Sequence, residues 1–403
     1  MGRIAENKKM GSLGLYFSIP FCRSKCTYCN FASSVFPESY FERYVERIEE
    51  DLPGMRALAA QWNAQLPERV DSVYFGGGTP SLLPPSLIKR LFSRIRSTFS
   101  IDMGAEITVE CAPGQIEVAT LAAMIESGAN RISFGVQSFI DEEAKHTGRL
   151  HTRDVALRDV ERARRAGIRG VNLDLIAGLP GQTRASWRES LAVLCTAAPD
   201  HASVYMLEVD NDSRLGREIG LGGLKYYAPH VPTDDVIAEM YVEATEFLAA
   251  NGLKQYEVSN FAVPGAESRH NLKYWRREPY LGFGLDAHSM LRDGGGRALR
   301  FATTDELEPF LSSAGWTEPQ LLTRDEELEE AWFLGLRLNE GVSIAKMSSE
   351  FGEGAVGRFD PILAELASNG LIEFGEGRVR LTMQGRLLSN EVFSRFLAEP
   401  VNA

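Results

Sequence analysis

Leu13-Gly14-Leu15-Tyr16-Phe17-Ser18-Ile19-Pro20-Phe21-Cys22-Arg23-Ser24-Lys25-Cys26-Thr27-Tyr28-Cys29 begins as an apolar run and ends in three cysteines spaced C-x3-C-x2-C. The first seven residues read as a short buried strand. The loop after them crowds Cys22, Cys26 and Cys29 into eight residues. The chain holds five cysteines, an odd number, so no disulfide framework is expected and a reducing cytoplasm is the simplest setting. Cys111 and Cys195 stand apart and read as small buried hydrophobes.

Three thiolates at this spacing can wrap one metal centre. A structural zinc would need a fourth ligand, and no histidine lies between residues 13 and 145. A four-iron cubane held by three cysteines needs no fourth protein ligand and leaves one iron open for chemistry. Tyr28 offers an aromatic face beside that iron, on which an adenine could stack.

Outward from this loop the first half alternates strand-like and helix-like stretches. Strands are expected at 13–19, 70–75, 105–109, 131–136, 170–176 and 201–207, and helices at 38–60, 85–98, 117–127, 153–166 and 184–194. Leu87, Ile88, Leu91, Phe92 and Ile95 fall on one face of the second helix. Six βα units in series predict a parallel sheet with right-handed crossovers. No seventh or eighth unit is evident, so the expected fold is α/β, an open, partial (β/α)6 TIM-like barrel.

The remainder divides further. Residues 1–12 read as a loose head without the apolar core of a secretory signal. Residues 13–210 form the barrel. Residues 211–322 read as a connecting, substrate-covering region: a glycine-rich loop at 211–233, a helix at 234–250, and an aromatic stretch at 256–289 without clear periodicity. Residues 323–403 read as helices, a small hairpin at 371–381 and a last helix at 383–397, a mainly helical winged-helix-like domain. Thr323 stands as the N-cap of its first helix.

At 403 residues the chain suits two or three units. Apolar residues at 44% and charged ones at 24% are ordinary globular composition. A net charge of −12 gives no reason to coat nucleic acid, and the last domain, with 8 basic and 14 acidic residues, lacks the cations of a DNA-binding winged helix. It reads instead as a docking or lid module. No apolar run approaches the roughly 18 residues of a membrane span.

Polar residues recur at predicted strand ends. Gly76-Gly77-Gly78-Thr79-Pro80 follows the second strand, Glu110 the third and Gln137 the fourth; Arg149 sits in the next loop and Asp174 within the fifth strand. Each alone is a turn or a surface charge. In a βα barrel these ends share one face, the face on which sites are built.

Together these features resemble the radical S-adenosylmethionine (SAM) superfamily, and within it the oxygen-independent coproporphyrinogen III oxidase-like proteins. The matching segments are Tyr16-Phe17-Ser18-Ile19-Pro20-Phe21-Cys22, Gly76-Gly77-Gly78-Thr79-Pro80, Val136-Gln137-Ser138-Phe139 and Asp174-Leu175-Ile176-Ala177-Gly178-Leu179-Pro180-Gly181-Gln182-Thr183. The resemblance implies a radical SAM barrel, a 4Fe-4S cluster on Cys22, Cys26 and Cys29, and SAM contacts at Tyr16, Tyr28, Gly77, Gly78, Thr79, Glu110, Gln137, Arg149 and Asp174. One electron from such a cluster cleaves the SAM sulfonium.

Two departures separate the chain from the oxidase itself. Phe31 stands where the oxidase has a further cysteine, and only about a dozen residues precede the first strand where the oxidase has a longer arm. His270-Asn271-Leu272-Lys273-Tyr274-Trp275 is similar to the H-N-x-x-Y-W signature of the haem-chaperone branch. That branch implies haem as cargo, haem-accepting apo-cytochromes or respiratory enzymes as partners, and a flavodoxin- or ferredoxin-type reductant.

In this reading His270 is the haem ligand, with Tyr274 and Trp275 stacked on the porphyrin. The residues by themselves favour a hydrogen-bonded loop histidine and a core tryptophan; the resemblance is what brings the haem reading level. Gly282-Phe283-Gly284-Leu285-Asp286-Ala287-His288-Ser289 resembles the family's next glycine-rich segment, and His288 is a second candidate ligand. His146, His151, His201 and His230 read as structural or exposed. Two other functions stay open: a radical SAM enzyme acting on a tetrapyrrole, either a coproporphyrinogen III decarboxylase or a methyltransferase using two SAM molecules, and a non-catalytic zinc scaffold.

Overall fold

The computed structural model describes residues 11–313 and 315–397. Residues 1–10 of the expected N-terminal head lie outside the described residues.

Six parallel strands form the centre: β1 (Leu13–Ile19), β2 (Arg69–Gly77), β3 (Ser100–Cys111), β4 (Arg131–Gln137), β5 (Gly170–Ala177) and β6 (His201–Met206). They lie side by side in chain order. Helices Ser39–Gln61, Pro85–Thr98, Val118–Glu126, Arg153–Arg165 and Arg184–Thr196 make the crossovers. The open barrel is therefore as expected. Its strands are apolar because both faces are covered. Leu13, Leu15, Phe17 and Ile19 of β1 are fully buried, and Phe17 stacks on Phe75 at 4.9 Å and on Phe283 at 5.3 Å.

Both sheet edges are extended by the segment that showed no periodicity. Asn260–Ala262 (β7) pairs antiparallel with β6, and Tyr280–Gly284 (β8) pairs parallel with β1 on the opposite edge. His288–Asp293 (β9) and Ala298–Ala302 (β10) continue outward from β8 as antiparallel strands. These strands run three to six residues, and every residue of β7 and β8 is buried, so no alternation marks them. The free edges of the barrel make β7 and β8 strands: residues 201–203 of β6 pair with residues 260–262, and residues 14–18 of β1 pair with residues 280–284. Between β7 and β8 lies helix Arg269–Trp275, capped by Ser268.

The glycine-rich loop at 211–233 also holds structure, a helix over Arg214–Gly220 and a 3-10 turn over Lys225–His230. Ser213 caps the former by accepting from the Gly216 N–H at 2.9 Å.

The C-terminal unit has its own core around Trp332, Val379, Val392 and Phe396. Helices Arg324–Arg337, Ile344–Phe351 and Asp360–Ser368 precede the hairpin Ile372–Gly375 and Arg378–Leu381, which Val342–Ser343 joins as a third strand. The expected single last helix is two short ones, Met383–Leu387 and Ser389–Ser394, separated at Leu388. Thr323 completes a capping box: it accepts from the Glu326 N–H at 3.2 Å and donates its own N–H to Glu326 Oε2 at 2.6 Å. Thr323→Ala is expected to cost about 1 kcal/mol, read as a lower denaturation midpoint of this unit with an unchanged urea slope.

Candidate functional site

The C-terminal strand ends and the cysteine loop enclose one cavity of about 570 Å³. Its construction begins where β1 ends. The Gly78 N–H donates to the Ile19 carbonyl at 2.9 Å and the Thr79 N–H to the Phe21 carbonyl at 2.7 Å. A Cβ on Gly78 would lie 2.8 Å from both the Ile19 and Phe21 carbonyl oxygens, so the root of the cysteine loop rests directly on this glycine. Gly77 has φ +96°, and a Cβ there would strike Ser18 Oγ at 2.7 Å. The triple glycine is thus a backbone cradle for the loop.

The loop is pinned along its length. Thr27 donates its N–H to the Thr147 carbonyl and accepts on its own carbonyl from the Leu215 N–H. Lys25, inside the cysteine spacing, donates through Nζ to the carbonyls of Phe31 at 2.6 Å and Ser33 at 2.7 Å. This ammonium ties the start of the loop to its end. Cys22, Cys26 and Cys29 are unpaired, partly buried and line the cavity. Burial and the neighbouring thiols push the Cys22 thiol up, so thiolates here call for a cation. Among the described residues no three His, Cys, Asp or Glu side chains gather tightly enough to hold a single ion. The donors are three soft thiols from one loop, a set that suits an iron–sulfur cluster with one iron left open.

Opposite the cysteines stand Glu110, Gln137, Arg149 and Asp174. Tyr74 donates its hydroxyl to Glu110 Oε1 at 2.8 Å. Burial and the nearby Asp174 raise the Glu110 carboxyl to about 7, against the opposing hydrogen bonds from Tyr74 and the Gly77 N–H. Burial also raises Asp174, although Asn172 Nδ2 donates to it at 2.7 Å and Ser133 Oγ at 3.3 Å. Asn172 Oδ1 lies 2.6 Å from His201 Nδ1, and His201 Nε2 lies 2.9 Å from the Tyr256 hydroxyl. His201 therefore carries its proton on Nδ1 and accepts on Nε2, a neutral strut beneath Asp174. Arg149 donates to the Gly135 carbonyl and reaches Cys26 Sγ at 3.4 Å. Gln137 stands at φ +71°, and its Oε1 is buried without a partner among the described residues. Two carboxyls whose anions burial disfavours, an orphaned amide oxygen and an arginine offer a seat for a small ligand rich in hydroxyl, amino and carboxylate groups.

Of the thirteen residues expected in the site, Cys22, Cys26, Cys29, Tyr28, Gly77, Gly78, Thr79, Glu110, Gln137, Arg149 and Asp174 line this one cavity. Tyr16 does not. It lines a neighbouring cavity of about 260 Å³ with Ser18, Phe31, Gly77, Tyr274, Tyr280, Asp286 and His288. Phe31 and Gly77 belong to both walls.

His270, expected as the haem ligand, lies in neither cavity. It is 1% exposed, with Nδ1 3.1 Å from Ser72 Oγ and Nε2 2.8 Å from the Tyr274 hydroxyl. Burial, helped by the neighbouring Lys273, pushes it down to about 3. Both ring nitrogens are engaged within the fold, so in this structure His270 serves as a framework histidine. Trp275 is likewise diverted: its ring lies under Arg337 at 4.2 Å and holds the C-terminal unit to the barrel.

Sequence reading missed Lys25, which pins the cysteine loop through backbone carbonyls, and Tyr74 and Asn172, which act on the site through Glu110 and Asp174; His201, read as structural or exposed, is the strut behind Asn172. It also missed Arg337 and Asn390, which the C-terminal unit brings to the cavity wall. A lysine between two clustered cysteines is a readable signal; the others follow only from contacts distant in the chain.

The model of the radical SAM superfamily matches residues 16–194, and that of the HemN C-terminal domain matches residues 322–388. The chain is 35% identical over 388 residues to "Heme chaperone HemW" of Bacillus subtilis (strain 168), covering 95% of this chain and 99% of that one. It is 31% identical to "Heme chaperone HemW" of Escherichia coli (strain K12), covering 97% of this chain and 100% of that one. The crystal structure of coproporphyrinogen III oxidase (HemN) from Escherichia coli superposes with a TM-score of 0.80 at 24% identity, over 96% of this chain and 90% of that one, a likeness of fold.

Proposed function

The chain belongs to the radical SAM superfamily and, within it, to the HemW haem-chaperone family, and from that premise we propose that it carries haem under the control of a SAM-loaded iron–sulfur centre. The observation that carries this is the convergence of cluster cysteines and SAM-type residues on one cavity, with a second, aromatic-walled cavity against it. In this reading residues 13–210 are the cofactor barrel, 211–322 the cargo-covering region and 323–403 a helical docking module.

Cys22, Cys26 and Cys29 would hold a 4Fe-4S cluster, which when bound supplies one electron to a SAM sulfonium at its open iron. Glu110, Asp174 and Gln137 accept hydrogen bonds from hydroxyl and amino groups of SAM, and Arg149 is the cation for its carboxylate. The Gly76-Gly77-Gly78 backbone lets the ligand approach β2 closely, and Tyr28 gives an aromatic surface. The chain's own role is to hold these groups fixed and to keep the carboxyls desolvated until a ligand replaces water.

Haem is the cargo, apo-cytochromes or respiratory enzymes the acceptors, and a flavodoxin- or ferredoxin-type protein the electron source. The chain works in the cytoplasm; no helix among the described residues is long and apolar enough to cross a membrane. The test is anoxic reconstitution with iron, sulfide and SAM, followed by haem titration and a parallel incubation with coproporphyrinogen III and reductant. A saturable Soret band with no vinyl product is the expected result. Vinyl product would make the protein an oxidase instead, and absence of a Soret band would remove the chaperone reading.

A further inference from the structure

The second cavity answers a question left by the burial of His270, namely what ligates the haem iron. This inference rests on the reading of haem as cargo. Neutral imidazole is a common protein ligand of haem iron, and a histidine in that role needs a free nitrogen at a surface that a macrocycle can reach.

The chain has six histidines. His201 and His270 are buried with both ring nitrogens engaged. His151 is buried. His146 and His230 both stack on the ring of Tyr227, at 4.2 and 4.0 Å, outside both cavities. His288 remains. Its side chain is 71% exposed, it lines the second cavity, and neither ring nitrogen makes a hydrogen bond among the described residues.

The surroundings of His288 suit a metal ligand. Asp286 Oδ1 stands 3.7 Å from its Nε2, just beyond hydrogen-bond distance, so a small side-chain rotation would give His288 the carboxylate partner that ligating histidines generally have. Asp286 is itself held at φ +52° by donating its N–H to the Thr304 carbonyl at 2.8 Å, an uncommon conformation for a residue other than glycine.

The wall opposite is aromatic. Tyr274 and Tyr280 pack edge to face at 4.6 Å, and Phe31 is 66% exposed. An exposed phenylalanine in a loop that Lys25 holds rigid by its carbonyl has no packing role of its own; it is a ready flat surface for a flat ligand. At about 260 Å³ the cavity is smaller than the ~300 Å³ at the lower end of small-molecule pockets. A macrocycle there must project into solvent, which suits cargo that is handed on.

We propose that the tetrapyrrole sits in the second cavity, with His288 as the iron ligand and Phe31 against the macrocycle. Because Phe31 also walls the first cavity, the cargo and the cluster share a partition.

The test uses the full chain, reconstituted anoxically, with haemin titrated into the wild type and the His288→Ala, His270→Asn and Phe31→Ala variants. Circular dichroism and the visible cluster spectrum check fold and loading. His288→Ala is expected to lose the nitrogen-ligated Soret and low-spin paramagnetic signatures and to bind haem about tenfold more weakly or worse, a change of ~1.4 kcal/mol or more. Added imidazole should restore the signatures, which it would not do for a merely structural defect. Phe31→Ala should weaken binding while keeping the signatures, and His270→Asn should keep them where it folds. If His288→Ala binds haem with wild-type spectra, or His270→Asn alone loses them in folded protein, the ligand assignment is overturned while the cargo reading stands. If the wild type binds no haem, the cargo reading itself fails.

Discussion

Replacing Cys26 by serine is expected to abolish the iron–sulfur centre. The anoxically reconstituted Cys26→Ser protein should carry almost no iron or acid-labile sulfide, where the wild type carries about four of each per chain, and should lack the broad visible absorption of thiolate-bound iron. The reason is that the loop has no spare ligand. Cys22, Cys26 and Cys29 are its only sulfurs, and the side chain nearest to hand, the Ser33 hydroxyl 4.0 Å from Cys29 Sγ, is a hard donor poorly matched to iron. Arg149, which reaches Cys26 Sγ at 3.4 Å, would also be left without its anion. Cys22→Ser and Cys29→Ser should behave alike. Cys111→Ser is the control: its thiol is buried beside the Val109 carbonyl, and the variant should load iron normally. A Cys26→Ser protein that kept four iron atoms would mean the loop is not the cluster site, and the functional proposal would go with it.

Glu110→Gln is expected to weaken SAM binding and, at the same time, to stabilise the ligand-free protein above neutral pH. The binding loss follows from deleting a charged acceptor. A hydrogen bond to a charged group contributes roughly 1.5–3 kcal/mol, so affinity should fall by about ten- to a hundredfold.

The stability gain follows from the raised carboxyl. Its folded value is about 7 against an ordinary value of 4.5, because burial and Asp174 disfavour the anion more than Tyr74 and the Gly77 N–H favour it. A carboxyl raised on folding contributes stability that is fully present below the unfolded value and is lost as pH climbs through the folded one. The wild type should therefore lose a stabilising contribution of about 3 kcal/mol as pH rises from about 4.5 through about 7. Glutamine cannot ionise and keeps an acceptor for Tyr74, so the variant should lack this loss.

Urea unfolding near pH 5 and near pH 8 reads the difference, and calorimetric SAM titration over the same range reads the function. Wild-type SAM affinity should also decline as pH falls below about 7, as the acceptor protonates, with the variant flat. A Glu110→Gln protein no more stable than wild type near pH 8 would show that the desolvated anion costs the fold nothing.

Much of this site is legible in the chain because its parts are local. The C-x3-C-x2-C spacing brings three thiols into one loop by chain length alone, and the capping box at Thr323 needs only three residues. The six strands of the barrel announce themselves as apolar runs closed by turn residues, and once they lie parallel in order, Glu110, Gln137 and Asp174 must come out on one face. Gly78 reads in the sequence only as part of a turn; the carbonyls it approaches, those of Ile19 and Phe21, lie far earlier in the chain and meet it only in the fold.

Where the reading failed, the cause is long range. The signature beginning at His270 names residue types without environments. The helix Arg269–Trp275 packs against β2, so Ser72 and Tyr274 take both nitrogens of His270, and Arg337 from the last unit takes the face of Trp275. Likewise β7 and β8 are too short and too evenly apolar to show a period, and become strands because the barrel offers them free edges.

The amino-acid order by itself thus determined the cluster loop, the parallel half-barrel and the face on which polar groups collect, because spacing and hydrophobic pattern act over neighbours in the chain. The tertiary structure alone decided which histidine is spent on the framework and which stays free, and that a second cavity lies against the first, because burial and hydrogen-bond partnership belong to groups brought together from distant parts of the chain.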